Sequence, residues 1–203
     1  MNHSFKKCLL ILYFLNINLG IDMIETDNKN KPIFEQAIFG AGCFWCVEAI
    51  FESIEGVENV QAGYTGGNSE NPTYEEICTG KTNHVEVVQL DFNPQIISFK
   101  KLMDSFWKSH DPTTLNRQGE DIGTQYRSAV FYNSEDQKEI AAKSLKDADN
   151  SDMYKNSIVT EIAPLTTFYP AEEYHQDYYR RNSNAPYCRA VIQPKLKKMF
   201  DLD

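Results

Sequence analysis

The sequence predicts an α/β fold of the α+β kind, a two-layer sandwich built on a split βαβ, ferredoxin-like core. Three observations support this class. The chain has 203 residues, a length that suits one domain. Its 41% hydrophobic and 24% charged residues are ordinary for a globular protein. Strand and helix patterns alternate as strand–helix–strand twice over, and a further helix and strand follow.

The first half of the domain begins with a strand candidate at 36–39, which leads through a Gly-Ala-Gly turn into a helical pattern at 43–54. A second strand candidate follows at 57–64, and a loop with turn residues occupies 66–82. The clearest strand is 84–92, where apolar residues dominate. The first two strands and the helix between them form one strand–helix–strand unit, and the strand at 84–92 begins a second unit.

The second half begins with a helix that Ser98 can cap, and its apolar stripe predicts packing against the core. A long loop at 111–124 and a strand at 126–132 come next, and Ser134 with Gln137 matches a capping box that opens another helix. The remaining candidates are a strand at 158–163, a short helix through Tyr179, an irregular tail from Asn182 and a last turn at 195–200.

The composition excludes several function classes. The chain has 29 acidic and 20 basic residues and a net charge of -9, which argues against a nucleic-acid partner. Its five cysteines are too few and too scattered for a disulfide scaffold. We therefore expect no nucleic-acid partner. We also expect a monomer.

The N-terminal segment predicts export. Lys6 and Lys7 precede an apolar run at 8–15, which is the pattern of a secretory signal. The run is too short for a membrane-spanning helix, which needs about 20 apolar residues.

We accordingly divide the chain into a signal or targeting segment at 1–22, a polar linker at 23–32 and a single domain at 33–203. An exported protein would lie in the periplasm or elsewhere outside the cytoplasm. If Met23 is the true start, the protein is cytoplasmic instead.

Cys43 and Cys46 carry the strongest chemical signal, because Gly-Cys-Phe-Trp-Cys at 42–46 lies between a strand and a helix. A thiol at a helix N-terminus faces unpaired N–H groups and the positive end of the dipole, so we expect the pKa of Cys43 to fall. The second thiol suggests a redox cycle in which a sulfenic acid condenses to a disulfide. The alternatives are two inert buried cysteines, or a zinc site that lacks a second C-x-x-C.

Glu86 is unusual because it stands in an otherwise apolar strand. Burial there would raise its pKa and let a protonated carboxyl donate a proton, whereas an edge strand would leave it in water.

Tyr74, Tyr126 and Tyr187 lie at loops, and the residues around Asp121 are typical of a turn. Residue types alone leave these four as candidates for either surface or site positions.

Seven ordered segments across about 36–190 resemble class A peptide methionine sulfoxide reductases. They are Gly42-Cys43-Phe44-Trp45, Gly63-Tyr64-Thr65-Gly66-Gly67, Asn71-Pro72-Thr73-Tyr74, His84-Val85-Glu86, His110-Asp111-Pro112-Thr113-Thr114, Gly123-Thr124-Gln125-Tyr126-Arg127-Ser128 and Tyr174-His175-Gln176. The family fold is an α/β sandwich with a βαβ core, in agreement with the pattern of elements.

The resemblance implies a role for each matching residue. Cys43 resembles the nucleophile that attacks the sulfoxide sulfur, and Phe44 and Trp45 resemble the walls of a pocket for the substrate methyl group. Glu86 resembles the acid that protonates the sulfoxide oxygen.

Two tyrosines and an aspartate complete the implied site. Tyr74 and Tyr126 resemble donors that hold the sulfoxide oxygen, and Asp121 resembles a supporting polar residue. The family reduces the S epimer of methionine sulfoxide, free or in proteins. It is reduced again by thioredoxin and needs no metal or organic cofactor.

The sequence leaves two candidates for the cysteine that resolves the sulfenic acid. Local loop closure favours Cys46, while position relative to family members favours Cys188; the resemblance implies no role for Cys78.

Two rival functions are a thioredoxin-like disulfide oxidoreductase, which leaves Glu86 unexplained, and a binding domain without turnover.

Overall fold

The structure, a computed structural model, describes residues 33–201. The predicted signal segment and linker lie outside the described residues. The strands are β1 Glu35–Ala41, β2 Val57–Thr65, β3 Val85–Phe92, β4 Arg117–Gln118, β5 Asp121–Ile122, β6 Ser128–Tyr132, β7 Glu161–Pro164 and β8 Tyr169–Pro170. The α-helices are α1 Phe44–Glu52, α2 Tyr74–Cys78, α3 Phe99–Ser109, α4 Glu135–Asp149, α5 Tyr178–Arg181 and α6 Gln193–Phe200.

Six strands form one mixed sheet in the order β7-β6-β1-β3-β2-β8. The pair β6–β7 is parallel and the other pairs are antiparallel. Because β3 lies between β1 and β2, the β1–α1–β2 unit is split, and β3–α3–β6 supplies the second half of the motif. The prediction of an α+β sandwich with a split βαβ, ferredoxin-like core is confirmed.

The helices pack on one face of the sheet. Successive side chains of β3 point to opposite faces, so the strand contributes to the core on both sides. Val88, Leu90 and Phe92 are buried in the large cluster that includes the helices. Val85 and Val87 belong to a smaller cluster on the opposite face. Both faces of this central strand are therefore covered, and Glu86 lies on it between Val85 and Val87 in sequence.

The two long helices begin as their sequences predict. Ser98 Oγ accepts a hydrogen bond from Lys101 N (3.3 Å) at the start of α3. Ser134 Oγ accepts from Gln137 N (3.2 Å) at the start of α4. The capping box at Ser134 is incomplete, because Gln137 Oε1 accepts from Asn133 N instead. The apolar stripe of α3 is buried, which confirms its core role.

Two predictions were wrong: that the tail from Asn182 is irregular, and that a strand begins at Tyr126. The tail is helical: a π-helical turn at Cys188–Ile192 continues into α6. Pro194 is the second residue of α6. Tyr126 lies in a 3₁₀ turn, Thr124–Tyr126, that precedes β6. In the part of the chain that the structure describes, no helix is long and apolar enough to cross a membrane.

Candidate active site

The turn between β1 and α1 presents Cys43. Gly42 has φ +90°, a conformation that favours glycine, and a side chain there would lie 2.7 Å from Gln118. Cys43 is the N-cap residue, and its carbonyl accepts hydrogen bonds from Cys46 N and Val47 N at the start of α1. The Cys43 side chain is 8% exposed. Cys43 is therefore almost completely buried at the start of the helix.

Glu86 lies on the central strand β3, directly beside this helix N-terminus. Its side chain is 1% exposed, and Oε2 accepts a hydrogen bond from Phe44 N (3.2 Å). Burial raises the pKa of Glu86 to about 8; the Phe44 N–H opposes the shift, and the charges of Asp121 and Cys46 add to it. The carboxyl is thus mostly protonated at pH 7. The alternative of an edge-strand glutamate in water is wrong.

The two thiols share their titration. Hydrogen bonding with Cys43 lowers the pKa of Cys46 to about 7 against the effect of burial, with help from the Lys195 charge. Hydrogen bonding with Cys46, burial and the Glu86 carboxylate raise the pKa of Cys43 well above its usual value. The predicted fall in the pKa of Cys43 is therefore wrong. These three effects outweigh the helix N-terminus, and the first negative charge of the pair resides on Cys46.

Tyr187 connects the second thiol to the β4–β5 hairpin. Its hydroxyl donates to Asp121 Oδ2 (3.2 Å) and lies 3.7 Å from Cys46 Sγ. Burial raises the pKa of Tyr187, with the charges of Cys43 and Cys46 adding to the shift. The phenol therefore keeps its proton and serves as a donor. The sequence marked Tyr187 as a candidate at a loop, and the resemblance gave it no role.

Tyr74 and Tyr126 approach Glu86 from two other segments. Tyr74 begins α2, where Thr73 and Glu76 form a complete capping box. Burial raises the pKa of Tyr74, and the Cys78 thiol and the Glu86 charge contribute. Burial also raises the pKa of Tyr126, again with a contribution from Glu86. Both hydroxyls are therefore protonated donors in the electrostatic field of the same carboxyl.

An aromatic cluster adjoins Cys43 on α1. Phe44 is buried, and its ring centroid lies 4.9 Å from that of His175. Trp45 stacks on Tyr178 at 3.6 Å with an interplanar angle of 7°. Trp45 Nε1 donates to His175 Nδ1 (3.1 Å). The indole is therefore fixed both in plane and in rotation.

Glu172 ties this cluster to the sheet. Its Oε1 accepts from Tyr74 N (2.8 Å), and its Oε2 accepts from Tyr64 OH (2.9 Å). Oε2 also lies 3.9 Å from His175 Nε2. Burial lowers the pKa of His175, so the ring is neutral and Nδ1 is free to accept from Trp45. The sequence indicated no role for His175 or Glu172, although His175 belongs to one of the matching segments.

The other two described cysteines differ in exposure. Cys188 is buried in the π-helical turn, where burial and the Cys46 charge raise its pKa. Cys78 is exposed at the end of α2. Between residues 33 and 201 all four cysteines are free, and no group of three or more His, Cys, Asp or Glu side chains is arranged to hold a metal ion.

A cysteine at a strand-to-helix turn, with a second thiol beside it and a protonated carboxyl on the neighbouring strand, defines a thiol-dependent oxidoreductase. The family model described as peptide methionine sulfoxide reductase matches residues 35–202. The chain belongs to this family, in class A, as its resemblance implied.

Two similar proteins, one of them in two structures, illustrate the relationship. The peptide methionine sulfoxide reductase MsrA of Acinetobacter baumannii (strain AYE) is 53% identical over 165 residues, which cover 81% of this chain and 94% of that protein. Mxr1 from Saccharomyces cerevisiae in reduced form is 34% identical with a TM-score of 0.72, over 76% of this chain and 89% of that one. A structure of Mxr1 in complex with Trx2 is 24% identical with a TM-score of 0.52, over 76% and 91% of the two chains, and shares the fold.

Proposed function

We propose that this enzyme reduces the S epimer of methionine sulfoxide, free and in proteins, with Cys43 as the nucleophile and Glu86 as the proton donor. One observation carries the proposal. The buried Glu86 carboxyl accepts from the N–H of the residue that directly follows Cys43. A nucleophile and an acid are thereby placed at one helix end, where a polarised S=O bond needs both.

The proposed reaction begins when the Cys43 sulfur attacks the sulfoxide sulfur while Glu86 protonates the oxygen. The oxygen ends on Cys43 as a sulfenic acid, and methionine leaves as the thioether. The methionine sulfur is thereby reduced by two electrons and the cysteine sulfur is oxidised by two. The proton released by the Cys43 thiol balances the one that Glu86 gives up.

The surrounding side chains orient the sulfoxide. We assign Tyr74 and Tyr126 as donors to its oxygen, because both phenols keep their protons. Phe44 and Trp45 form the apolar wall for the methyl group. Asp121 supports the site through the Tyr187 hydroxyl rather than by contact with the oxygen.

Substrate choice tests the proposal. We expect turnover with methionine S-sulfoxide and none with the R epimer, because a fixed wall and fixed oxygen donors distinguish the two configurations at sulfur. Insulin-disulfide reduction serves as the comparison. Disulfide reduction without sulfoxide reduction would favour a thioredoxin-like oxidoreductase, and no thiol-dependent turnover would favour a binding domain.

We further propose that Cys46 resolves the sulfenic acid first. It is three residues from Cys43, so its effective concentration is high without a large chain movement. Its pKa of about 7 provides a thiolate. Cys188 is buried in a helical turn, so its participation requires rearrangement. It acts second in a relay or as the direct alternative.

Matched serine variants test this order. Cys46→Ser is expected to accumulate sulfenic acid after one turnover without reductant, whereas Cys188→Ser still forms a disulfide. Intact mass spectrometry after one turnover, with methionine release measured in parallel, distinguishes the two species. The reverse pattern would make Cys188 the resolving thiol.

Thioredoxin is the reductant that we propose for the resulting disulfide. The family resemblance supports this choice, and the Mxr1 structure in complex with Trx2 is consistent with it. We also propose that the enzyme acts as a monomer without a metal or organic cofactor.

We propose export as the localisation, on the basic and apolar pattern of residues 1–22. The mature protein in its own host is expected to begin near residue 21 and to lie outside the cytoplasm. N-terminal sequencing of the fractionated protein checks this expectation. A start at Met1 or Met23 in a cytosolic fraction would contradict it.

A further inference from the structure

A second buried carboxyl lies on α1, two residues after Cys46. The Glu48 side chain is 1% exposed. Its Oε1 accepts from Asp177 N (3.0 Å) and its Oε2 accepts from Tyr178 N (3.1 Å). Both oxygens are therefore bound to consecutive backbone N–H groups of a segment about 130 residues away. The proposed reaction does not use this carboxyl.

The backbone that Glu48 binds has the shape of an anion-binding nest. Asp177 has φ 55° and ψ 30°, in the left-handed region, and Tyr178 begins the right-handed helix α5. Such a left-to-right pair directs successive N–H groups into one concavity that suits a carboxylate. Burial raises the pKa of Glu48 to about 7, and the two N–H donors oppose the shift because they favour the charged form.

The nest holds the residue that supports Trp45. The Tyr178 ring stacks on the Trp45 indole at 3.6 Å, nearly parallel. Glu48 and Trp45 lie on the same short helix. A single helix therefore carries both the indole and the carboxylate that anchors the ring behind it. If the anchor is lost, Tyr178 is free to move and the indole plane is no longer fixed.

We propose that Glu48 is a positioning residue that holds Trp45, through the backbone of Asp177 and Tyr178, in the orientation that receives the substrate methyl group. This inference rests on the proposed function for its kinetic consequence only. Its structural consequence, the fixed stacking of Trp45, is measurable without substrate.

The kinetic test is a double-mutant cycle of Glu48→Gln and Tyr178→Ala. The amide is isosteric but can accept only one of the two N–H groups. Because a misplacement of about 1 Å can cost on the order of 10²-fold, we expect Glu48→Gln to raise KM for methionine sulfoxide about tenfold and to change kcat less than about threefold. The double variant should be no worse than Tyr178→Ala alone, since both changes act on one contact.

The spectroscopic test uses protein labelled with 5-fluorotryptophan. The chain contains two tryptophans, Trp45 and Trp107, so fluorine NMR gives two resonances that Trp45→Phe assigns. Trp107 packs between α3 and α4, where its Nε1 donates to Ser144 Oγ. In Glu48→Gln the Trp45 resonance is expected to shift or broaden while that of Trp107 stays in place as an internal measure of folding.

The matched control is Glu55→Gln, in the turn that follows α1, where the side chain is exposed. It removes the same charge without removing the anchor, so KM and both resonances should be unchanged. Additive effects in the cycle, or an unmoved Trp45 resonance in a folded Glu48→Gln, would overturn the proposal. If Glu48→Gln does not fold, Tyr178→Ala decides alone, since an unchanged KM there removes the basis of the inference.

Discussion

Replacement of the nucleophile should abolish the reaction. Cys43→Ser is expected to lower methionine release from methionine S-sulfoxide by on the order of 10³-fold or more, because a serine hydroxyl is a far weaker nucleophile toward sulfur. Serine fits the same space at the N-cap and can cap the helix, so the fold should be preserved. Single-turnover methionine release, followed by chromatography, measures the effect.

The matched control for that experiment is Cys78→Ser. Cys78 is exposed at the end of α2, and the exchange is chemically identical. Its thiol hydrogen-bonds with Tyr74, and a serine hydroxyl can keep that bond. A surface substitution of this kind should leave turnover within about twofold of the parent. A Cys43→Ser rate within about tenfold of the parent would assign the chemistry to another group, since loss of a covalent nucleophile is never that mild.

The regular parts of the fold follow from local pattern, which explains why the sequence predicted them. The apolar stripe of α3 has helical spacing and is buried as a unit. Alternation along β3 placed Glu86 on the face of Val88 and Leu90, which is the face that α1 covers. In both cases one periodicity determines which side chains are buried.

The contacts that complete the site could not be predicted in that way. The hydrogen bond from Trp45 to His175 spans 130 residues, and the one from Tyr187 to Asp121 spans 66. No periodicity or turn chemistry relates residues so far apart. The predicted fall in the pKa of Cys43 was wrong for another reason. The hydrogen bond with Cys46, burial and the charge of Glu86 raise that pKa, and together they exceed the effect of the helix N-terminus.

Replacement of the proton donor Glu86 is expected to have the second large effect on the rate. Glu86→Gln is expected to slow the single-turnover rate by about 10²–10⁴-fold, because the amide can hydrogen-bond the sulfoxide oxygen but cannot deliver a proton. The fold should be preserved, since the amide oxygen can still accept from Phe44 N. Rapid-quench measurement of methionine release isolates this step from recycling.

The variant should also change stability in a defined direction. The native carboxyl has a pKa of about 8 against an ordinary value of 4.5. Between these values the native state holds a proton that the unfolded chain has lost. The contribution of Glu86 to the free energy of unfolding therefore falls as pH rises from about 4.5 to 8. Glutamine lacks this term, so thermal melts of the two proteins should diverge over that range in favour of the variant.

The pH dependence of the rate separates an acid from a merely structural carboxyl. The ratio of the wild-type to the Glu86→Gln rate should be constant below about pH 8 and fall about tenfold per pH unit above it, because only the protonated carboxyl delivers a proton. Asp121→Asn should move this fall to lower pH, since the Asp121 charge helps to raise the pKa of Glu86, while its amide oxygen still accepts from Tyr187. A ratio that is independent of pH, with unchanged single-turnover rates, would reassign Glu86 to structure.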